Sequence, residues 1–204
     1  MYIKRTLEKA VLNIMKGFPA IMITGPRQVG KTTIIEELSK QGHIKYDHVT
    51  LDDPNERLLA KTDPKLFLDN HKPPVFIDEF QYATELLPYI KMIIDQKTRE
   101  DNLNASGLFI LTGSQMFKMM KDVSESLAGR VSILNMFSLS NNELCSDDEK
   151  PFMPTFDYIK AKGKNERKDL HTLYDSFITG SMPRMHLGLN IKPNTYYAEY
   201  IQTY

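Results

Sequence analysis

Residues 25–32 have the types and the spacing needed to hold phosphate groups. Two glycines are separated by four residues and followed by lysine and threonine, in the run Gly25, Pro26, Arg27, Gln28, Val29, Gly30, Lys31 and Thr32. Glycines allow a tight turn that points successive backbone N–H groups at phosphate oxygens. The lysine ammonium is placed to reach the β- and γ-phosphates, and the threonine hydroxyl is placed to bind Mg²⁺. The pattern predicts a binding loop for a nucleoside triphosphate.

The segments on either side of this loop support the same prediction. The apolar run at 20–23 predicts a buried strand before the loop, and residues 33–38 have the composition of a helix after it. The N-terminal end of that helix carries a partial positive charge that attracts phosphate. We therefore count Thr33, where the helical pattern begins, with the nucleotide-binding residues.

Two acidic residues follow another apolar run further along the chain. Asp78 and Glu79 come directly after Val75, Phe76 and Ile77. At the end of a strand, Asp78 is expected to hold Mg²⁺ through water, together with Thr32. Glu79 is suited to act as the general base that polarises an attacking water. The adjacent glutamate favours a hydrolase over a kinase, since a kinase must keep water out of its site.

Polar residues also end the strand predicted from Leu108. In an open α/β sheet such strand ends face the crevice that binds the ligand. Thr112 or Ser114 is therefore a candidate contact for the γ-phosphate. The alternative for Ser114 is that it caps the helix that follows.

Arg130 lies between a short helical stretch that Gly129 ends and the strand predicted from Val131. A lone arginine is usually a surface or ion-pair residue. The alternative is that a neighbouring copy of the chain receives this arginine at its γ-phosphate. Both interpretations stay open.

A second acidic pair, Asp52 and Asp53, invites a metal-site interpretation. However, Asp53 is followed by Pro54 and Glu56, which is the chemistry of a helix start. We predict that Asp53 caps a helix, and the role of Asp52 is left open.

Composition and charge exclude several function classes. Lysine and arginine equal aspartate and glutamate at 26 each, so no global charge favours nucleic acid or an anionic membrane. The only cysteine is Cys145, so an intrachain disulfide is excluded and a reducing compartment is indicated. No apolar run approaches membrane-spanning length, and charges occupy the N-terminal stretch where a signal peptide would be apolar. We predict a cytoplasmic protein with no membrane partner.

The chain of 204 residues is long enough for one sizeable core and a small appendage. The apolar pattern continues to about residue 140, is lost over 141–168, and returns as helical patterns at 170–179 and 196–203. We therefore expect an ATP-binding domain at 1–140 and a polar linker at 141–168. Residues 169–204 are expected to be the helical start of a truncated C-terminal domain.

Five short phrases resemble prokaryotic AAA-type ATPases in which the ATPase module precedes a C-terminal domain of unknown function. They are Gly-Pro-Arg-Gln-Val-Gly-Lys-Thr, Leu-Asp-Asp-Pro, Ile-Asp-Glu-Phe-Gln, Leu-Leu-Pro-Tyr-Ile-Lys and Leu-Thr-Gly-Ser-Gln. The resemblance covers about residues 3–137. It implies an α/β fold, a three-layer α/β/α P-loop NTPase sandwich with a parallel sheet of order 5-1-4-3-2 and a short helical C-terminal extension. It also implies ATP and Mg²⁺ as ligands, and Arg130 as the candidate arginine finger.

The leading hypothesis is Mg²⁺-dependent ATP hydrolysis coupled to conformational change of an attached or partner domain. It includes a homo-oligomer in which Arg130 acts in trans and a macromolecular partner that the sequence does not identify. The alternative is an ATP-dependent switch or scaffold with little turnover, with a role related to DNA or to toxins and defence. A kinase is disfavoured by the Asp78–Glu79 adjacency, and a GTPase by the absence of an Asn-Lys-x-Asp motif.

Overall fold

The computed structural model describes residues 2–100, 105–114, 117–146, 154–162 and 169–203. The chain divides into two compact units. The larger unit is Leu7–Phe137, and the smaller one combines the N-terminal residues Met1–Thr6 with Ser138–Tyr204. The loop and the acidic pair singled out above both belong to the larger unit.

The larger unit is built on five parallel strands. They are β1 (Ala20–Thr24), β2 (Asp47–Thr50), β3 (Val75–Asp78), β4 (Phe109–Gly113) and β5 (Val131–Asn135). Their order across the sheet is β2-β3-β4-β1-β5, which confirms the predicted order. Strand β1 lies between β4 and β5, with Ala20 opposite both Phe109 and Val131. Strands β1, β3 and β4 are buried throughout, as expected for parallel strands that are covered on both faces.

Helices cover the two faces of the sheet and complete a three-layer α/β/α sandwich. They are α1 (Leu7–Ile14), α2 (Lys31–Lys40), α3 (Pro54–Thr62), α4 (Pro64–Asn70), α5 (Leu87–Glu100) and α6 (Phe117–Ser126), with 3₁₀ turns at Phe80–Tyr82 and Thr84–Leu86. On one face, alternate strand residues such as Met22 and Leu111 pack into a single apolar cluster with α3 to α6. Because side chains alternate along a strand, Ile21 and Ile110 point to the other face, where they are equally buried.

Aspartates begin two of these helices, as the sequence indicates. The Asp53 carboxylate accepts the N–H of Asn55 at 2.8 Å, so the prediction that Asp53 caps a helix is confirmed. Asp63 caps α4 in the same way. The neighbouring Asp52 lies 3.6 Å from the guanidinium of Arg57, in an exposed ion pair. These aspartates organise helix starts and a surface contact.

The smaller unit is helical. It contains α7 (Asn141–Leu144), α8 (Phe156–Lys162), α9 (Leu170–Thr179) and α10 (Pro193–Thr203), with a 3₁₀ turn at Pro183–His186. Two of these helices, α7 and α8, lie in the segment predicted to be a polar linker. Helix α7 forms because Ser140 and Glu143 make a capping box. Glu143 also forms a buried ion pair with Arg5, in which Nε and Oε1 are 3.1 Å apart.

Over the described ranges, no helix combines the length with the apolar composition that crossing a membrane requires.

Candidate functional site

The predicted phosphate-binding residues form the connection between β1 and α2. The backbone takes positive φ values at three points of this loop, 153° at Gly25, 62° at Gln28 and 96° at Gly30. Alternation between negative and positive φ values turns consecutive N–H groups toward one side of the backbone and creates a concave site for an anion. A side chain at Gly25 is excluded, because its Cβ would lie 2.0 Å from the carbonyl oxygen of Met136. The chain after β5 therefore packs directly against the loop, and the Met136 N–H donates to Thr24 O at 2.7 Å.

Lys31 is the first residue of α2 and is only 6% exposed. Its ammonium donates to the carbonyl oxygens of Gly25 at 3.1 Å and Pro26 at 2.8 Å, so it lies folded over the loop. Burial lowers the pKa of Lys31, while the charges of Glu79 and Asp78 act in the opposite direction. Phosphate oxygens are stronger partners for this ammonium than the two carbonyls, because they carry negative charge.

Asp78 joins side chains from three elements. It ends β3, it is 8% exposed, and its Oδ2 accepts the Thr32 hydroxyl at 2.8 Å. Its Oδ1 accepts the hydroxyl of Thr112, which is fully buried in β4. Strands β3 and β4 pair in register up to Ile77 and Leu111, so the next residue of each strand meets at the same sheet edge. The structure thus brings together Thr32, Asp78 and Thr112.

These oxygens suit Mg²⁺. The ion prefers hard oxygen ligands, takes few of them from the protein, and completes its octahedron with water and phosphate oxygens. The Thr32 hydroxyl and the Asp78 carboxylate supply such a donor pair beside the loop. The chemistry of this donor set therefore fits the predicted metal.

Glu79 leaves the strand in a left-handed backbone conformation, with φ 54° and ψ 42°. For a residue with a side chain this conformation is strained by about 1 kcal/mol, and such strain concentrates at functional sites. Its N–H donates to Asp78 Oδ1 at 3.0 Å, which holds the turn. The half-buried carboxylate accepts a hydrogen bond from the side-chain amide of Gln81. The two acids therefore lie side by side, with Asp78 turned toward Thr32.

Gln81 is a site residue that the sequence analysis missed. Its Oε1 accepts the backbone N–H of Ser114 at 3.2 Å, while its Nε2 donates to Glu79. It therefore joins the acidic turn to the end of β4. The signal was present, since this glutamine closes the Ile-Asp-Glu-Phe-Gln phrase. Hydrophobic periodicity does not reveal it, because only the left-handed turn at Glu79 brings it back to the site.

Arg130 directly precedes β5, so it lies where the parallel strands begin, whereas the loop lies where β1 ends. Its carbonyl accepts the N–H of Ala20, the first residue of β1, whereas the loop follows the last residue of that strand. Its Nε is 2.6 Å from Asp95 Oδ1 on α5, and its Nη1 donates to Ala128 O at 3.1 Å. The hydrogen bond from Arg130 lowers the pKa of the Asp95 carboxyl. Within one chain, Arg130 is not brought to the loop, and the ion-pair alternative describes what it does here.

A glycine loop between a central parallel strand and a helix, with a lysine at the helix start and an acid ending a nearby strand, defines the class of P-loop nucleotide-binding ATPases. Comparison with known proteins gives the family. Residues 17–145 match the family described as AAA domain, and the chain belongs to that family. It is a member of the AAA-type branch of the P-loop ATPases.

Two relatives and two solved structures show how far the likeness extends. Uncharacterized proteins of Mycobacterium bovis and Mycobacterium tuberculosis are each 30% identical over 129 residues, which is 63% of this chain but 27% of each relative. The Thermotoga maritima RuvB Holliday junction branch migration motor has a TM-score of 0.51 at 17% identity, over 91% of this chain and 60% of that one. AMPPCP-bound DnaA from Aquifex aeolicus has a TM-score of 0.44 at 13% identity, over 96% of this chain and 59% of that one. The likeness to RuvB supports the fold.

Proposed function

We propose that this chain binds ATP with Mg²⁺ and hydrolyses it to ADP and phosphate. The observation that carries the proposal is the position of the Asp78 carboxylate, which accepts the hydroxyls of both Thr32 and Thr112 and lies next to Glu79. A metal-binding acid, a candidate base and a phosphate-binding helix start therefore meet at one edge of the sheet. An acidic pair that only served solubility would lie exposed, whereas Asp78 is buried.

The loop and the start of α2 bind the triphosphate in this proposal. Backbone N–H groups of the loop and the Lys31 ammonium contact the β- and γ-phosphates, and for Lys31 these contacts replace its hydrogen bonds to the carbonyl oxygens of Gly25 and Pro26. Thr32 and Asp78 hold Mg²⁺, which when bound offsets the negative charge of the phosphates. Thr112 and Ser114, at the end of β4, are the candidate contacts for the γ-phosphate.

Glu79 acts as the general base. Its carboxylate takes a proton from a water molecule whose oxygen attacks the γ-phosphorus. The bond from that phosphorus to the β,γ-bridging oxygen breaks, and its electron pair stays with ADP. One carboxylate oxygen accepts from Gln81, which leaves the other to face the water.

Phosphate release from ATP, measured with Mg²⁺ and with excess EDTA, tests this function. We expect turnover only with Mg²⁺, and an Asp78→Asn variant should need at least about tenfold more Mg²⁺ for half its maximal rate, because a charged ligand is lost. The exposed Asp52→Asn variant is the matched control, since its partner is a surface arginine. Bound ATP with no phosphate released under either condition would contradict hydrolysis and favour the switch or scaffold alternative.

Hydrolysis in this module is proposed to change the conformation of an attached or partner domain. This chain spans 27% of the length of the curated relatives it matches. We therefore propose ATP hydrolysis for this chain, and the conformational change for an attached or partner domain.

We further propose that Arg130 acts in trans, at the γ-phosphate held by a second copy of the chain. Arg130 lies where the strands begin and pairs with Asp95, so its side chain does not reach the phosphate-binding loop of its own chain. This position supports a role at a neighbouring chain. Reaching a neighbour requires Arg130 to exchange Asp95 for phosphate. The pair is about one-third exposed on each side, so breaking it is expected to need little free energy.

Mixing two inactive variants tests the trans arrangement. Arg130→Ala and Lys31→Ala chains should each hydrolyse ATP at least about 100-fold more slowly than wild type, since an arginine finger contributes 10³ or more. Their mixture should recover activity, because a Lys31 site of one chain meets an intact Arg130 of the other. Arg99→Ala, which removes an exposed arginine that donates to the main chain of Asp95, is the control. An Arg130→Ala chain with wild-type activity, or a mixture as inactive as its parts, would refute the role.

A further inference from the structure

The side chain of Gln81 forms a bridge between the turn that carries Glu79 and the end of β4. Its amide nitrogen donates to the Glu79 carboxylate, and its amide oxygen accepts the Ser114 N–H at 3.2 Å. Gln81 lies in the 3₁₀ turn Phe80–Tyr82, which begins directly after Glu79. One carboxamide thus contacts two parts of the proposed site that come from different strands.

The orientation of this amide is fixed by its two partners. A backbone N–H can only donate, so the Ser114 side of the bridge requires the amide oxygen. An ionised carboxylate can only accept, so the Glu79 side requires the amide nitrogen. A flipped amide would place two acceptors together on one side and two donors on the other. Glutamine is therefore chemically specified at this position, and an acid of the same length would repel Glu79.

Gly113 makes room for the bridge. A Cβ at this position would lie 2.6 Å from Gln81 Oε1, and 3.3 Å from both the Met119 sulfur and the Met22 methyl carbon. A contact shorter than 3.0 Å forces one of the two atoms to move. Here the atom that would move is Oε1, at the end of the flexible Gln81 side chain. An alanine at 113 is thus expected to displace the Gln81 amide while residue 81 itself stays unchanged.

We propose that Gln81 is a positioning residue that holds the Glu79 carboxylate where it accepts a proton from the attacking water, and that links this carboxylate to the backbone at the end of β4. This inference rests on the proposed hydrolysis, because it assigns Gln81 a role through Glu79. A base held by one of its oxygens keeps the other aimed at the reacting water, and small displacements of such a group cost large factors in rate. The link to Ser114 also ties the position of the base to the strand end that is proposed to contact the γ-phosphate.

Steady-state kinetics of Gln81 variants provide the first test. We expect Gln81→Ala to lower kcat by about tenfold and Gln81→Glu by about 100-fold, with the affinity for ATP changed by less than about threefold. The matched control is Gln41→Ala, which removes an exposed glutamine whose Nε2 donates to Glu37 at 3.0 Å, at the far end of α2. Wild-type kcat in both Gln81 variants, or a kcat above wild type, would overturn the positioning role.

Two double-mutant cycles separate a role through Glu79 from a general loss of structure. In a Glu79→Gln background, Gln81→Ala should change the residual rate by less than about twofold, because the group that it positions is gone. The Gly113→Ala variant should lower kcat as Gln81→Ala does, and the double variant should be no slower than either. Effects that multiply in both cycles would overturn the inference.

The same assays show separately whether the underlying function fails. If wild type releases phosphate and Glu79→Gln does not, hydrolysis by Glu79 stands, and the Gln81 variants decide the inference alone. If wild type releases no phosphate that depends on Glu79, both the function and the role of Gln81 are overturned. Thermal unfolding of each variant gives a further check, since a loss of kcat without a change in the unfolding midpoint supports positioning.

Discussion

Replacing Glu79 with glutamine is expected to lower kcat for ATP hydrolysis by about 100-fold or more, while the affinity for ATP changes by less than about threefold. Glutamine cannot take the proton from water, but it keeps the length of the side chain and an oxygen that accepts from Gln81. The left-handed turn at Glu79 is held by the hydrogen bond from its N–H to Asp78, which the substitution leaves in place. The change therefore removes the base and retains the site.

Phosphate release and binding of a fluorescent ATP analogue, measured on the same preparation, check this result. The matched control is Glu85→Gln, because Glu85 is an exposed glutamate of the next 3₁₀ turn. Its rate should equal that of wild type. A Glu79→Gln chain that hydrolyses ATP at the wild-type rate would show that another group activates the water.

Replacing Lys31 with alanine is expected to weaken ATP binding by about 100-fold or more, because it removes a buried ammonium that lies against the loop carbonyls of Gly25 and Pro26. Burial lowers the pKa of Lys31, because desolvation disfavours the charged form. Since negatively charged phosphate oxygens would offset this desolvation, we expect the substitution to affect binding more than folding. We expect the unfolding midpoint of the variant to stay within a few degrees of wild type.

Isothermal titration with ATP and Mg²⁺, together with thermal unfolding monitored by circular dichroism, measures both effects. Lys40→Ala is the control, since it removes an exposed lysine from the other end of the same helix. ATP binding as tight as wild type in the Lys31→Ala chain would contradict the assignment of the loop. An unfolded variant would instead assign Lys31 to folding, because its hydrogen bonds to the carbonyl oxygens of Gly25 and Pro26 would then be needed to hold the loop together.

The loop could be predicted because a local pattern determines it, whereas the strand order was implied by the resemblance to AAA-type ATPases and is confirmed by the structure. The run before Gly25 is apolar without interruption, which is typical of a strand buried on both faces, and the glycines match the positive φ values at both ends of the loop. The cap at Asp53 was predictable for the same reason, since a cap involves residues close in sequence.

The side-chain contacts between strand ends could not be predicted from the sequence, because they depend on how separate elements are aligned. Thr112 was a candidate contact for the γ-phosphate, yet the structure places its hydroxyl on Asp78, which depends on the register between β3 and β4. The bridge through Gln81 depends on a left-handed turn at a glutamate, which residue type alone does not indicate. The pairing of Arg130 with Asp95 joins residues from two elements whose alignment no local pattern specifies.

Helix α7, outside the sheet, also depends on a contact between residues that are far apart in sequence. The sequence from 141 onward is polar, and polarity without periodicity predicts a linker. Ser140 and Glu143 nevertheless cap a short helix, and a buried ion pair with Arg5 holds it, although Arg5 lies near the other end of the chain. Contacts between residues so far apart in sequence give no periodic signal.

A crystal structure of the Glu79→Gln chain grown with ATP and Mg²⁺ tests the central claim most directly. The account predicts a triphosphate in the loop between Gly25 and Thr32, with Lys31 turned from the carbonyl oxygens to the γ-phosphate and a metal ion beside Thr32 and Asp78. A triphosphate bound elsewhere, or a loop that stays empty with Lys31 still on those carbonyl oxygens at saturating ATP, would contradict it.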